Sequence, residues 1–299
     1  MDRRIVFETI HNMRDLGGIR VQVPPDAKPD AGKAERKPVG NGGKVIRSGM
    51  LFRSAFLFRA SEKDLAAMRD DLHIRKVIDL RTDQEIERMP DTGAEGVFNI
   101  HRPLINESMM GITHEIRSMT EERSIFIPDM PDMYRQIVSD EKARRNLGKA
   151  VMEIMNNDYD HGGVVWHCTE GKDRCGITTA MVLLSLGADR SSVMEDYLIT
   201  NETNAAKAEG YYRNMMAKGE AERLAAFVRD AFLAKEEYLN AALDAVFGEY
   251  GCIEDYFEGA LGIREETLER FRDTVLVKER ITSGTGDQNA ADADQSAIT

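Results

Sequence analysis

The sequence predicts an α/β protein in which helices pack against a central, mostly parallel sheet. Extended and helical patterns alternate along residues 61–190, as they do in chains that build such sheets. The most apolar extended run, Val164-Val165-Trp166, follows a Gly162-Gly163 break and precedes a helical pattern over residues 175–186. Short apolar runs of this kind are typical of strands buried on both faces. Residues 190–278 show helical patterns alone, and they predict a helical lid with C-terminal helices.

The elements before residue 100 carry recognisable local signals. Residues 19–23 and 44–46 predict a hairpin, and the intervening surface loop, residues 21–43, holds four of the eight prolines. Ser61 is placed to cap a helix, and a strand is predicted over residues 75–80. Thr82 and Glu85 form a capping-box pattern that opens a short helix.

Later elements follow from hydrophobic spacing. The patterns predict a strand over residues 98–104 and helices over residues 132–157, 201–229, 231–249, 253–257 and 265–276. Residues 281–299 are small and polar without periodicity, which is typical of a disordered tail. We therefore expect residues 1–280 to form a single domain.

Composition restricts the classes of function. Forty basic and 52 acidic residues give a net charge of −12, which repels nucleic acid and anionic membranes. No apolar run reaches the roughly 18 to 20 residues of a membrane span, and the start MDRRIVFETI lacks the apolar stretch of a signal peptide. Three cysteines are too few for a disulfide framework, so we expect a reducing, cytoplasmic location. With no metal-ligand cluster or dinucleotide motif, we predict no cofactor and no metal.

One segment carries the chemistry, namely HCTEGKDRCG at residues 167–176. It connects the apolar strand to the next helix, so backbone N–H groups and the positive helix end converge on one cradle for an anion. The same field favours the thiolate of Cys168, a nucleophile. Arg174 offers a planar fork for two phosphoryl oxygens, and Gly171 lets the backbone approach the ligand closely.

These residues resemble the signature of the cysteine-dependent protein tyrosine phosphatases, and the rest of the chain is similar to their atypical bacterial and fungal branch. Further motifs carry the resemblance over residues 5–278: NMRDLGG at 12–18, RSG at 47–49, LFRS at 51–54, IDLR at 78–81, and DYL at 196–198. The resemblance implies a phosphatase fold with Cys168 as the nucleophile and Arg174 as the transition-state clamp. It implies a phosphate cradle built from Thr169, Glu170, Gly171, Lys172, Asp173 and Arg174.

The resemblance also implies supporting roles. Lys172 would hold the phosphate dianion or a neighbouring phosphate, and His167 would orient the loop and tune the thiolate. Cys175 stands where the family usually has Thr or Ser, whose hydroxyl assists the sulfur in the second step. A thiol donates weakly, so we expect slower hydrolysis of the intermediate, and two adjacent thiols suggest a reversible disulfide.

The general acid has three candidates. Asp79 lies at the end of the 75–80 strand, and Asp173 lies inside the loop. Both rank ahead of Asp83, which is equally explained as the N-terminal charge of a helix. For Asp79, a purely structural ion pair with Arg81 is as well supported as the role of general acid. Structural roles are also expected for the polar residues near the N-terminus, which are Asn12, Arg14, Asp15, Arg47 and Arg53.

The predicted function is hydrolysis of phosphomonoesters through a phosphocysteine. Phosphotyrosine is the favoured substrate, while phosphoserine, phosphothreonine and phosphoinositides stay open, as does the oligomeric state. A rhodanese-type sulfurtransferase also sets a cysteine in an anion-binding loop, but Arg174 at the sixth position after Cys168 argues against it. A non-catalytic phosphate-recognition module is disfavoured because Cys168 and Arg174 are both intact.

Overall fold

The structure is a computed structural model, and it describes residues 2–22, 43–105 and 129–279. Nearly all of the predicted 21–43 loop lies outside the described residues, as does the predicted tail. The Met109-Met110 pair, a candidate for a lid, also lies outside them.

Five strands form the central sheet in the order β1, β4, β7, β5, β6. Their bounds are Arg14–Asp15 for β1, Leu51–Ser54 for β4, Ile74–Asp79 for β5, Phe98–His101 for β6 and Gly163–His167 for β7. Strands β4, β7, β5 and β6 run parallel, and only β1 is antiparallel to its neighbour. The α/β class with a mostly parallel sheet is therefore confirmed.

The register brings the carboxyl ends of three strands to one edge. On β7, His167 pairs with Ser54 of β4 on one side and with Asp79 of β5 on the other. Ligand-binding loops of parallel sheets lie at this edge. The segment after His167 consequently lies beside the residues that follow β4 and β5.

A second, antiparallel sheet joins the two ends of the described chain. It contains β2 (Arg20–Val21), β3 (Lys44–Ile46) and β8 (Leu276–Lys278), in that order. The predicted hairpin is confirmed by β2 and β3. The prediction of a helix through residue 276 is wrong at its end, because the backbone turns extended at Leu276 and pairs with Ile46.

Ten α-helices surround the sheets in the described part of the chain. They are α1 Glu62–Asp70, α2 Asp83–Arg88, α3 Met130–Ser139, α4 Glu141–Met155, α5 Asp173–Ser185, α6 Arg190–Ala217, α7 Glu222–Ala231, α8 Glu236–Tyr250, α9 Ile253–Tyr256 and α10 Glu265–Val275. Ser61 caps α1, and Thr82 with Glu85 forms the predicted capping box on α2. Among the described helices, none has the length and apolar character of a membrane span.

Two predicted helices are divided in the structure. The segment 132–157 breaks at Asp140, which ends α3 and caps α4 by accepting from the backbone N–H of Ala143 at 2.9 Å. The segment 201–229 breaks after α6, where Gly219 has a φ of +78°. Left-handed backbone of this kind ends a helix, and glycine adopts it without strain.

Strand β7 forms the centre of the core. All five of its residues are buried, and their side chains alternate between the two faces of the sheet. Trp166 packs into the larger cluster with the apolar side chains of α5, and Val165 packs on the opposite face with α1. The indole N–H of Trp166 donates to Thr179 on α5 at 2.9 Å. Strand and helix thus form a fixed frame around the loop between them.

Candidate active site

The loop between β7 and α5 begins at Cys168, which is 2% exposed. Helix α5 starts at Asp173, so Arg174 lies in its first turn. Cys168 therefore follows the strand end as the sequence predicts, while the helix begins two residues earlier than the predicted residue 175 and includes Arg174. The N–H of Phe56, which follows β4, donates to the carbonyl of Thr169 at 3.3 Å and fixes the first part of the loop.

Two distant side chains hold the outer side of the loop. The Asn12 amide donates to the carbonyl oxygens of Glu170 and Gly171 at 3.0 and 3.2 Å, and Arg53 donates to Gly171 at 2.7 Å. In a trans peptide the carbonyl and the next N–H point in opposite directions. Holding these carbonyls outside therefore turns the N–H groups of Gly171 and Lys172 toward the inner side. Asn12 and Arg53, assigned only general structural roles from the sequence, shape the cradle directly.

Gly171 is needed for a contact within the protein. Its φ is +64°, and an added Cβ would lie 2.4 Å from the carbonyl oxygen of Ser54 at the end of β4. The sequence predicts that this glycine allows close approach of a ligand. The structure adds a second reason, since the backbone of the adjacent strand is also a close neighbour.

The Arg174 guanidinium is bound by Glu85 of α2. Its two terminal nitrogens donate to the two carboxylate oxygens at 2.5 and 2.9 Å, and the hydroxyl of Thr169 donates to the same carboxylate. Burial opposes ionisation of Glu85, but Arg174 and these hydrogen bonds lower its pKa to about 2. One carboxylate thus fixes both the first residue after the nucleophile and the arginine. The sequence predicts only the capping-box role of Glu85 and carries no signal for this second one.

The side chain of Lys172 does not face the cradle. It is fully buried, and its ammonium group lies 2.5 Å from the carbonyl oxygen of Ala231 and 3.4 Å from that of Leu233. This position differs from the phosphate contact expected for Lys172. The long side chain leaves the loop toward the connection between α7 and α8, where buried carbonyl groups satisfy its charge.

The three candidate acids differ in their surroundings. Asp173 is partly exposed and accepts a hydrogen bond of 2.6 Å from the hydroxyl of Tyr134. Asp79 is 7% exposed, and Arg81 binds both of its oxygens at 2.7 to 3.1 Å. Asp83 is 82% exposed at the start of α2. Asp173 therefore contacts Tyr134 and, at 3.3 Å, the ammonium group of Lys172, whereas Asp79 has the structural ion pair with Arg81 that the sequence offers as its alternative.

His167 is buried between two carboxylates. Its Nε2 lies 2.8 Å from Asp91 and its Nδ1 lies 3.9 Å from Asp79, while Nδ1 is also 3.1 Å from the carbonyl oxygen of Cys168. Burial disfavours the imidazolium, but the charges of Asp79 and Asp91 outweigh it and raise the pKa of His167. Asp91 is a second residue that the sequence analysis missed.

The same three groups are close enough to bind a metal ion. Arg81, however, donates to Asp79 at 2.7 Å and to Asp91 at 2.9 Å. The guanidinium therefore already supplies the positive charge that a cation would bring to these carboxylates. The arrangement fits an ion-pair network that supports the end of β7.

Comparison with known proteins identifies the family. The profile of the tyrosine phosphatase family matches residues 5–277. The chain belongs to this family. The match covers all the helices described above and both sheets except for the last residue of β8, and it confirms the resemblance drawn from the sequence motifs. The chain is a tyrosine phosphatase, a cysteine-dependent hydrolase of phosphomonoesters.

Two curated relatives are similar over most of their length. A protein of Cupriavidus necator, named as a tyrosine-protein phosphatase, is 26% identical over 268 residues, which are 87% of this chain and 84% of that protein. The triple specificity protein phosphatase PtpB of Mycobacterium tuberculosis is 28% identical over 214 residues, which are 69% of this chain and 73% of PtpB.

Solved structures of more distant proteins also match. PTPMT1 in complex with PI(5)P has a TM-score of 0.32 at 12% identity, and the match covers 62% of this chain and 92% of PTPMT1. P. aeruginosa TpbA in complex with pTyr has a TM-score of 0.29 at 15% identity, and the match covers 68% of this chain and 89% of TpbA.

In this phosphatase, Cys175 is a free, buried thiol on the first turn of α5. Its sulfur donates to the carbonyl of Trp166 at 3.6 Å, which commits its weak donor to β7. Burial and the neighbouring Cys168 raise the pKa of Cys175 to about 11, against the opposing effect of Arg53. The raised pKa disfavours the thiolate form of Cys175, which would have to react to form the disulfide with Cys168 that the sequence suggests.

Behind the loop of the phosphatase lies a buried cluster centred on Asp196 of α6. Arg14 and Arg53 bind its carboxylate at 3.1 and 2.7 Å, and Arg3 binds it at 3.0 Å. Burial opposes its charge, but these guanidinium groups hold the pKa of Asp196 well below its usual range. Arg14 also donates to the side-chain oxygen of Asn12 at 2.5 Å, which orients the Asn12 amide toward the loop.

Proposed function

We propose that this phosphatase hydrolyses phosphotyrosine through a phosphocysteine intermediate on Cys168. One observation carries the proposal: Glu85 fixes the guanidinium of Arg174 at the same loop whose N–H groups are turned inward by Asn12 and Arg53. A nucleophile, a planar cation and a set of backbone donors are thus preorganised around one position. Such an arrangement stabilises the charge that develops on a phosphoryl group during transfer.

In the first step, the thiolate of Cys168 attacks the phosphorus atom. A P–S bond forms while the P–O bond to the tyrosine oxygen breaks. Arg174 binds two phosphoryl oxygens in the bidentate geometry that its fork allows. The departing oxygen takes a proton from Asp173, for which the partly exposed carboxyl group beside the loop is the best-placed candidate.

In the second step, water attacks the phosphorus atom and the P–S bond breaks. The carboxylate of Asp173 accepts a proton from the water, so Asp173 returns to its acid form. Cys168 leaves as a thiolate, and inorganic phosphate is released. His167 supports the loop during this step, because its Nδ1 lies 3.1 Å from the carbonyl oxygen of Cys168 and its Nε2 lies 2.8 Å from Asp91.

The charges around the loop favour a substrate with a single phosphate. Lys172 is bound to Ala231, and Lys207 is bound to the carboxylate of Glu170 at 2.7 and 2.8 Å. The ammonium groups of both lysines are therefore already bound within the protein, and the net charge of −12 opposes attraction of polyanions. The relative PtpB is named a triple specificity phosphatase, so the assay needs substrates other than phosphotyrosine as well.

Two further proposals concern the whole chain. We propose that residues 1–280 act as one phosphatase domain, because the family match over 5–277 includes both sheets and the helices after residue 190. We also propose a cytoplasmic location, supported by three free cysteines.

The deciding assay uses p-nitrophenyl phosphate in the presence of EDTA, with phosphotyrosine peptides, phosphoserine peptides and phosphoinositides as the panel. We expect Cys168→Ser to abolish turnover while phosphate binding, measured by calorimetry, survives, because backbone groups form most of the cradle. Arg174→Lys should lower kcat by two decades or more, corresponding to about 3 kcal/mol. Cys252→Ser is the matched control and should behave as wild type.

Two results would contradict the proposal. Activity of Cys168→Ser near that of wild type would exclude the covalent mechanism. Transfer of sulfur from thiosulfate to cyanide, without phosphatase activity, would favour the sulfurtransferase alternative.

A further inference from the structure

The buried ammonium group of Lys172 is an unusual component of a phosphate-binding loop. It contacts the carbonyl oxygens of Ala231 and Leu233 at 2.5 and 3.4 Å and the carboxylate of Asp173 at 3.3 Å. The ring of Tyr238 lies 5.9 Å away. A buried charge is costly unless it is paired, and the last carbonyl groups of α7 carry the negative end of the helix dipole. The ammonium group is thus satisfied jointly by the end of α7 and by Asp173.

The segment that receives Lys172 is the α7–α8 turn, residues 231–235. Helix α6 holds this turn from its other side. Asn201 donates to the carbonyl of Ala234 at 2.9 Å and accepts from its N–H at 2.7 Å, and Asn204 donates to the carbonyl of Phe232 at 3.1 Å. Four successive carbonyl oxygens of the turn are therefore bound by side chains from α6 or from the loop.

Asp173 belongs to the same cluster. The hydroxyl of Tyr134 donates to Asp173 at 2.6 Å and lies 2.6 Å from the hydroxyl of Tyr197. The Tyr134 ring also packs against Tyr238, with ring centres 5.8 Å apart. Helices α3, α6 and α8 thus meet around the carboxylate that Lys172 contacts. A displacement of Lys172 would disturb the turn and Asp173 together.

We propose that Lys172 is a positioning residue that fastens the α7–α8 turn to the phosphate-binding loop and thereby holds the Asp173 carboxyl group where it meets the leaving oxygen. This inference rests on the proposed function, in which Asp173 is the acid and the base. Lys172 contributes to phosphate binding through its backbone N–H. The side chain instead couples the helices after residue 190 to catalysis.

The test compares Lys172→Met, which keeps most of the stem and removes the charge, with wild type and with Lys172→Arg. We expect Lys172→Met to lower kcat about tenfold or more for phenyl phosphate, a poor leaving group, and less for p-nitrophenyl phosphate. KM should change less than threefold because the cradle is intact. Lys172→Arg should recover part of kcat. Hydrogen exchange at the Ala234 N–H should be faster in Lys172→Met.

The matched control is Lys218→Met. Lys218 follows the end of α6, is exposed and lies outside the α7–α8 turn. This variant should retain the kinetics of wild type and the exchange rate at Ala234. If Lys172→Met fails to fold, Asn204→Ala removes the donor to the Phe232 carbonyl of the same turn and should show the same two effects.

The inference is wrong if Lys172→Met has the same dependence of kcat on the leaving group as wild type and the same hydrogen exchange rate at the Ala234 N–H. Failure of the proposed function is a separate result. In that case wild type hydrolyses no phosphate ester, while the exchange comparison still measures whether Lys172 holds the turn.

Discussion

The carboxylate of Glu85 holds the guanidinium of Arg174 through two parallel hydrogen bonds, 2.5 and 2.9 Å long. The pair connects α2 and α5, which follow the neighbouring strands β5 and β7. Because Thr169 binds the same carboxylate, a single side chain sets the loop at its beginning and at its end. An arginine fixed in this way loses little rotational freedom when it meets a phosphoryl group.

We predict that Glu85→Gln lowers kcat by about tenfold or more and destabilises the fold. Removing one partner of a buried ion pair costs roughly 3–5 kcal/mol, because the other charge stays buried without compensation. Added phosphate should reverse part of the decrease in melting temperature of Glu85→Gln, because it supplies negative charge beside Arg174 in place of the carboxylate. Thermal unfolding with and without phosphate measures this, and Glu87→Gln, an exposed change on the same helix, is the control. An equal phosphate-induced shift in Glu85→Gln and wild type would contradict the prediction.

The second prediction separates the candidate acids. Asp173→Asn should lower kcat for phenyl phosphate by on the order of a hundredfold and remove the basic limb of its pH–rate profile, with a smaller effect on p-nitrophenyl phosphate. Asp79→Asn should chiefly lower the melting temperature, because it leaves Arg81 with one carboxylate fewer. Asp83→Asn should change neither the kinetics nor the melting temperature. The assignment fails if Asp79→Asn, and not Asp173→Asn, alters the dependence on the leaving group.

The third prediction concerns stability and pH. The pKa of His167 is raised in the folded chain by Asp79 and Asp91. Its stabilisation is therefore fully present below the unfolded value of 6.5 and is lost as pH rises through the raised folded value. Asp91→Asn should reduce the free energy of unfolding below pH 6.5 by on the order of 1 kcal/mol or more, and should flatten its decline at higher pH.

Urea unfolding from pH 6 to pH 9 measures this effect. The matched control is Asp158→Asn, because Asp158 and His161 form an exposed pair 2.7 Å apart. Exposed pairs contribute little, so this variant should follow wild type at every pH. Parallel pH curves for Asp91→Asn and wild type would exclude the role given to Asp91.

The fourth prediction tests the outer side of the loop. Asn12→Ala should weaken phosphate binding by about fivefold to tenfold, because the carbonyls of Glu170 and Gly171 lose a donor and the inward N–H groups lose their fixed direction. Calorimetric titration with inorganic phosphate measures the change. Asn99→Ala on the edge strand β6 is the control and should bind as wild type. Wild-type affinity in Asn12→Ala would show that Arg53 alone fixes the loop.

The fifth prediction concerns Cys175. With its pKa raised to about 11 and its side chain buried, it should stay unmodified by iodoacetamide at pH 8 in the native protein and react after unfolding in urea. Partly exposed Cys252 serves as the internal control. Peptide mass mapping measures both sites. Detection of a disulfide between Cys168 and Cys175 after mild peroxide treatment would instead support the redox switch considered from the sequence.

The strand, loop and helix of the site could be predicted because their signals are local. The apolar run before His167, the Gly162-Gly163 break and the helical pattern after the loop all act over a few residues. The capping box of Thr82 and Glu85 is equally local and was predicted correctly. The second role of Glu85, which is to bind the Arg174 guanidinium, was not predicted because Arg174 is 89 positions away along the chain.

Long polar side chains explain the remaining differences. Lys172 has a flexible stem, and its direction depends on which buried acceptors lie within reach. The carbonyl oxygens that it finds belong to residues 59 and 61 positions later. Nothing within the motif specifies them. Asp91 was missed for the same reason, and Asn12 was predicted only to have a general structural role, since their partners His167 and Gly171 become neighbours only when the strands assemble.

The residues that contact the loop are synthesised in a fixed order at the ribosome. Cys168 and Arg174 are translated well before Asp196, whose carboxylate orients Arg14 and Arg53, and before the turn that accepts Lys172. A nascent chain that ends within α5 already contains Asn12, Arg53 and Glu85, which bind the HCTEGKDRCG segment, but it lacks Asp196 and the turn that accepts Lys172. The full set of contacts around the loop is therefore available only once the α7–α8 turn has left the exit tunnel.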